Sequence, residues 1–208
     1  MVKINQRIAV RREQQLENLV LAAENAVICL GMDGLKARQL ADEIGISLGM
    51  IYNLVEDMDE LVLRVSAKTL GKLDDVLAPK DTTHFTTTAE SINRLVDIAL
   101  LYRKFASDHT NQWRALFEYR IPENKTMPES LVNQQEHLLS HIAAPVRILC
   151  PLMNHADLAL NVRMMFSAVH GVISLGLDKK MVAVPADAMD FQLESLVRMM
   201  CAGLPNKQ

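Results

Sequence analysis

Apolar residues recur at three- and four-residue spacing through most of the chain. From Arg12 onward Leu16, Leu19, Val20, Ala23, Val27 and Leu30 keep that period, which predicts a helix that runs to about Leu30 and stops before Gly31 and Gly34. Lys36 to Ile44 reads as a short helix closed by Gly45, and Ser47 offers an N-cap for a second short helix through Leu54. Two short helices about a tight glycine turn form a helix-turn-helix. Asp57 or Asp59 can cap a longer helix carrying Leu61, Val62, Val65, Leu70, Leu73 and Leu77, which Pro79 ends.

Farther along, Ile92, Leu95, Val96, Ala99, Leu100 and Phe105 mark another helix, and Asn111 to Tyr119 a shorter one. Glu129 to Ala143 is amphipathic, with Leu131, Leu138, Leu139 and Ile142 on one side, and Pro145 and Pro151 are expected to interrupt the apolar stretch that follows. Ala156 to Leu177 and Ala188 to Ala202 are more apolar than a small domain can bury alone. They predict a dimerisation pair using Leu158, Val162, Met165, Val169, Val172, Met189, Leu193, Leu196 and Met200. The expected fold is all-α: an N-terminal three-helix helix-turn-helix domain over residues 1–55 with a basic arm, and a larger C-terminal helical ligand-binding and dimerisation domain over 56–208, opened by the connector helix.

Composition agrees with helices. Of 208 residues half are apolar, and there are only eight Gly and seven Pro, too few for a turn-dense β architecture. Cys29, Cys150 and Cys201 are odd in number and far apart, which predicts reduced, buried thiols instead of a disulfide framework or a CxxC site. The opening residues are charged where a signal peptide is apolar, and no run approaches the roughly 18 apolar residues of a membrane span, so a cytoplasmic location with no membrane partner is expected. The net charge of −3 is unevenly distributed: Lys3, Arg7, Arg11 and Arg12 stand at the start with no acid among residues 1–12. Such an arm can follow phosphates or enter a minor groove, and removing residues 1–11 is expected to abolish most DNA binding.

The run from Gly34 to Val65 carries the chemistry. Leu35, Leu40, Ala41, Ile44 and Ile51 face inward, Gly45 makes the turn, and Gly49 leaves the second helix bare near its start, where backbone amides can meet a phosphate. Lys36 and Arg38 begin the preceding helix as phosphate contacts. With its Arg-led first helix, a Leu-Ala-x-x-x-Gly-Ile-Ser turn over 40–47, Gly49, Ile51-Tyr52 and Leu61, this segment resembles the TetR family of transcriptional regulators. The resemblance implies that Ser47, Leu48, Met50, Tyr52 and Asn53 face DNA. Val55 and Met58 stand where that family commonly has an aromatic residue and a lysine, and Glu56, Asp57, Asp59 and Glu60 surround the spot. Residues 1–64 hold seven basic and ten acidic groups, which predicts weak nonspecific binding.

Two later stretches, Trp113 to Glu118 and Phe166 to Val172, resemble the Trp-His-Gly subtype of the TetR C-terminal domain, with Val169 in place of one Trp. Gly171 is expected to permit close helix approach. Trp113, Phe117, Met127, Met153, Met164, Phe166 and His170 are the expected lining for a small apolar or aromatic effector. His137 and His141 stand one helical turn apart, a spacing that can share a metal, but Glu136 precedes the first histidine, so the HExxH pattern fails and no metal site or other cofactor is expected. No nucleophile elbow, phosphate-cradling loop or dinucleotide fingerprint occurs, which leaves an enzyme without a catalytic constellation. The resemblance implies a homodimeric repressor released from a palindromic double-stranded operator by the effector. The alternative is a dimer of the same fold that has lost specific DNA binding and acts as a small-molecule-sensing or protein-interaction module.

Overall fold

Among the described residues the regular structure is nine α-helices and one 3-10 turn, with no strand. The structure is a computed structural model that describes residues 2–79 and 86–205, apart from the side chains of residues 2–5 and 8. In chain order the helices are α1 (Val2–Leu30), α2 (Ala37–Ile44), α3 (Leu48–Leu54), α4 (Met58–Leu77), α5 (Thr88–Asp108), α6 (Thr110–Glu118), α7 (Glu129–Leu149), α8 (His155–Leu177) and α9 (Met189–Ala202). The 3-10 turn, Gly31–Gly34, follows α1.

Local chemistry sets several of these ends. Gly45 ends α2 at φ +70°, a left-handed conformation that costs glycine no Cβ clash. Ser47 caps α3 by accepting from the Met50 amide at 3.3 Å. Of the two candidate caps for α4, Asp57 is the one used: its Oδ1 accepts from the Glu60 amide at 3.0 Å, while Glu60 Oε2 reaches back to the Glu56 amide at 2.6 Å.

Two expectations about boundaries are corrected. The N-terminal residues continue α1 from Val2 instead of forming a separate arm. Pro145 does not interrupt α7, which runs through it to Leu149. Pro145 and Val146 are fully buried, so tertiary packing outweighs the hydrogen bond that a helical proline forfeits.

The chain divides into two compact units, the first being Met1–Thr69 with His109–Leu131, the second Leu70–Asp108 with Val132–Gln208. The first therefore takes in part of α4 and all of α6, beyond the expected 1–55 boundary. Its core joins Leu19, Ala23 and Val27 of α1 to Leu40, Ile51, Leu54, Leu61 and Val65, with Ala115 from α6. In the second unit α5 packs against both α8 and α9, with Tyr102, Phe105, Val162, Ile173, Leu193 and Val197 buried.

Cys150 is buried, Cys201 is partly buried and Cys29 is exposed, which corrects the expectation of three buried thiols. Length and composition alone would let α8 cross a bilayer, although no continuous apolar run had suggested it: Val, Leu, Ile, Phe, Met and Ala give a mean hydropathy of 1.4 while scattered polar residues break the run.

Candidate nucleic-acid interface

Helix α3 has two unlike sides. Ile51 and Leu54 are buried in the first unit's core, whereas Ser47, Leu48, Gly49, Tyr52 and Asn53 are exposed, Tyr52 by 50% and Leu48 by 44%. A Cβ placed on Gly49 would meet nothing within 4 Å, so packing inside the chain does not demand glycine there. Met50, expected to face DNA, is half-buried and packs on the core. Position 50 lies next to Ile51 on the inner side of the helix.

Arg7, Arg11, Lys36 and Arg38 are exposed; the Lys3 side chain lies outside the described residues. Arg12 is also exposed, but its guanidinium is engaged, with Nη2 donating to the Asn53 carbonyl oxygen at 3.1 Å. That oxygen is among the last four carbonyls of α3, which have no partner within the helix. Arg12 therefore ties α1 to the end of α3.

The acidic run is largely occupied. Lys125, from the loop after α6, bonds Asp57 and holds Asp59 at 2.7 Å, while Arg64 grips Glu60 through two bonds of 2.8 and 2.7 Å. The hydrogen bond from Lys125 holds the Asp57 carboxyl below its ordinary value, and donating to Asp57 and Asp59 raises Lys125. Burial pushes Glu60 up, but the Glu56 amide and Arg64 outweigh it and lower its pKa. Tyr119 beside them is pushed up to about 12, by burial first and then by the Asp59 carboxylate. Three of the four carboxylates thus have cationic partners, and the repulsion expected from this run is reduced. Val55 and Met58 both pack into the core, which explains why neither is presented outward.

The family described as tetracyclin repressor-like, C-terminal domain, matches residues 95–200. The chain belongs to the TetR family. The matching description does not name the Trp-His-Gly subtype, so that narrower resemblance gains no support. No curated protein matches the chain. Similar solved structures include a TetR-family transcriptional regulator from Streptomyces coelicolor, 18% identical with a TM-score of 0.62, covering 94% of this chain and 91% of that one. A TetR-like transcriptional regulator from Rhodococcus sp. RHA1 is 19% identical with a TM-score of 0.61, covering 92% and 96%. A TetR variant from Acinetobacter baumannii AYE in complex with minocycline is 18% identical with a TM-score of 0.59, covering 89% and 93%. At these identities the likeness establishes the fold.

In this TetR-family chain the seven expected effector-lining residues are divided. Trp113, Phe117 and Met127 belong to the first unit, and Met153, Met164, Phe166 and His170 to the second. Trp113 is buried and its ring lies 5.3 Å from that of the more exposed Phe117. In the second unit Phe166 and His170 gather around Tyr102, a residue that sequence reasoning missed. The Tyr102 hydroxyl lies 2.9 Å from His170 Nδ1, and the Tyr102 and Phe166 ring centres are 5.7 Å apart. Burial holds His170 below its ordinary value, keeping the neutral ring that can accept from the hydroxyl. A phenol on the buried stripe Leu95, Val96, Ile98, Ala99, Tyr102, Phe105, Ala106 was the available signal. Met164 points the other way and is 53% exposed.

The expected dimer residues are largely covered by their own chain. Leu158, Val162, Met165, Val169, Met189 and Leu193 are buried inside their own chain, and Val172, Leu196 and Met200 are half-buried. The uncovered apolar side carries Leu160, Met164 and Leu175 on α8 with Phe191 and Met199 on α9. A Cβ on Gly171 would meet nothing within 4 Å, whereas a Cβ on Gly176 would collide with the terminal methyl of Met189. The Met189 side chain of α9 therefore packs on Gly176, and no neighbour packs on Gly171.

Proposed function

We propose that this chain is a DNA-binding transcriptional repressor, a cytoplasmic homodimer that leaves a palindromic operator when a small apolar or aromatic effector binds. The observation that carries this reading is the outward side of α3, where Leu48, Gly49, Tyr52 and Asn53 lie exposed on a helix anchored through Ile51 and Leu54. Apolar and hydrogen-bonding groups together on a short helix suit base edges in a major groove, and Arg7, Arg11, Lys36 and Arg38 suit phosphates. No catalytic role is assigned to any residue.

The bare apolar faces of α8 and α9 support pairing with a second copy, which would place two recognition helices about one DNA turn apart, roughly 34 Å. The Acinetobacter relative was solved with minocycline. Here Tyr102, Phe166 and His170 offer an aromatic lining with a polar handle in the second unit. Helix α4 has residues in both units and is the element through which an effector would act on the operator. Linkage then requires operator and effector to weaken each other by the same factor.

The test is fluorescence anisotropy of the purified protein on its own upstream intergenic DNA at two salt concentrations, with a scrambled duplex as control. Tight, sequence-dependent binding that weakens with salt and is lost in Tyr52→Ala is expected. Equal, feeble binding to both duplexes, together with failure of genome-wide operator selection, would overturn the reading.

A further inference from the structure

The last turns of α4 bring a carboxylate to the histidine pair that α7 carries at i and i+4. Asp74 Oδ1 lies 2.8 Å from His141 Nε2 and 3.4 Å from His137 Nε2. One ligand atom from each of the three residues falls within 4.8 Å of the others. The two imidazole rings stand edge to face, 5.4 Å apart. His141 is 12% exposed, Asp74 31% and His137 63%, so the cluster is held at one side and open to solvent at the other.

We propose that Asp74, His137 and His141 form a binding site for a divalent transition-metal ion of the zinc type. Two imidazole nitrogens and one carboxylate oxygen are a donor set such ions favour over calcium or magnesium, which prefer oxygen donors alone. In tetrahedral coordination with bonds near 2.0 Å the donor atoms stand about 3.3 Å apart, so the observed spacing requires only small side-chain movement. The exposed His137 side leaves the fourth position to water or another small ligand. An ion here would pin the last turns of α4 to α7.

The experiment uses the full chain, stripped with a chelator and carrying Cys29→Ser so that the exposed thiol cannot compete for metal. Zinc is titrated by calorimetry, and cobalt is added separately to read coordination from its visible absorption. One zinc per chain is expected, with a tetrahedral cobalt spectrum and a rise in unfolding temperature. His141→Ala and His137→Ala should each weaken zinc by more than the ~10–100-fold that loss of an outer partner costs. His137 is largely exposed, so its variant should fold even if His141→Ala does not. Glu136→Gln, on a neighbouring exposed carboxylate, should change nothing. Absence of stoichiometric uptake at micromolar zinc, or uptake unaltered by His137→Ala and Asp74→Asn, would overturn the site.

Discussion

Arg12 and Asn53, separated by 41 residues, are joined by a hydrogen bond from the guanidinium to the backbone carbonyl at 3.1 Å. The bond ties α1 to the C-terminal end of α3. Arg12→Ala should cost at most about 1 kcal/mol of stability, since the bond is exposed. Operator affinity should fall by no more than about fivefold, because the bond is one of several contacts that fix the direction of α3, and thermal unfolding with anisotropy titration separates the two effects. Unchanged affinity would show that the anchor has no part in recognition.

Replacing Lys125 by Ala should release Asp57 and Asp59 close to the helix-turn-helix. Affinity for any duplex is then expected to drop several-fold at low salt and much less at high salt, because added like charge is screened. The pair also has a defined pH window. Asp57 is lowered, so its contribution is present above its ordinary 3.8 and is lost as pH falls through the lower folded value. Lys125 is raised, so its contribution is present below its ordinary 10.5 and is lost as pH rises through the higher folded value.

Burial keeps His170 below its ordinary 6.5, so the unfolded chain takes up a proton that the folded chain resists. Stability should be greatest above about 6.5 and decline as pH falls, levelling off once the folded ring protonates. Unfolding midpoints measured from neutral pH down to about 5.5 should decline less steeply in His170→Gln. An identical slope would assign the pH dependence to other groups.

Ile51→Ala removes a fully buried side chain shared by α3 and the first unit's core. A loss of about 2–5 kcal/mol is expected in denaturant unfolding. The change should abolish DNA binding by melting the recognition helix, which circular dichroism can detect.

Met164→Lys with Phe191→Lys places charge on the uncovered faces of α8 and α9. Sedimentation should show a monomer where the unaltered chain sediments as a dimer. Leu193→Ala, by contrast, should chiefly lower stability, because Leu193 is fully buried within its own chain.

The helices were legible because their causes are local. Spacing of three and four marked the inner side of α1 and α2, Gly45 supplied the left-handed turn, and Ser47 supplied the cap. The Leu40 to Tyr52 segment accordingly disclosed a helix-turn-helix from residue order alone. Side-chain partners distant in sequence left no such mark. Lys125 meets Asp59 across 66 residues and His141 meets Asp74 across 67, and only folding brings them together. The face that α8 and α9 leave uncovered was likewise hidden, because both stretches carry apolar residues on several sides. Periodicity then identifies a helix without saying which face the chain covers itself. The sequence by itself determined most of the helices, their order and the helix-turn-helix. Tertiary structure alone decided which polar groups neutralise one another and which apolar side the chain leaves uncovered, since both depend on contacts that chain order does not encode.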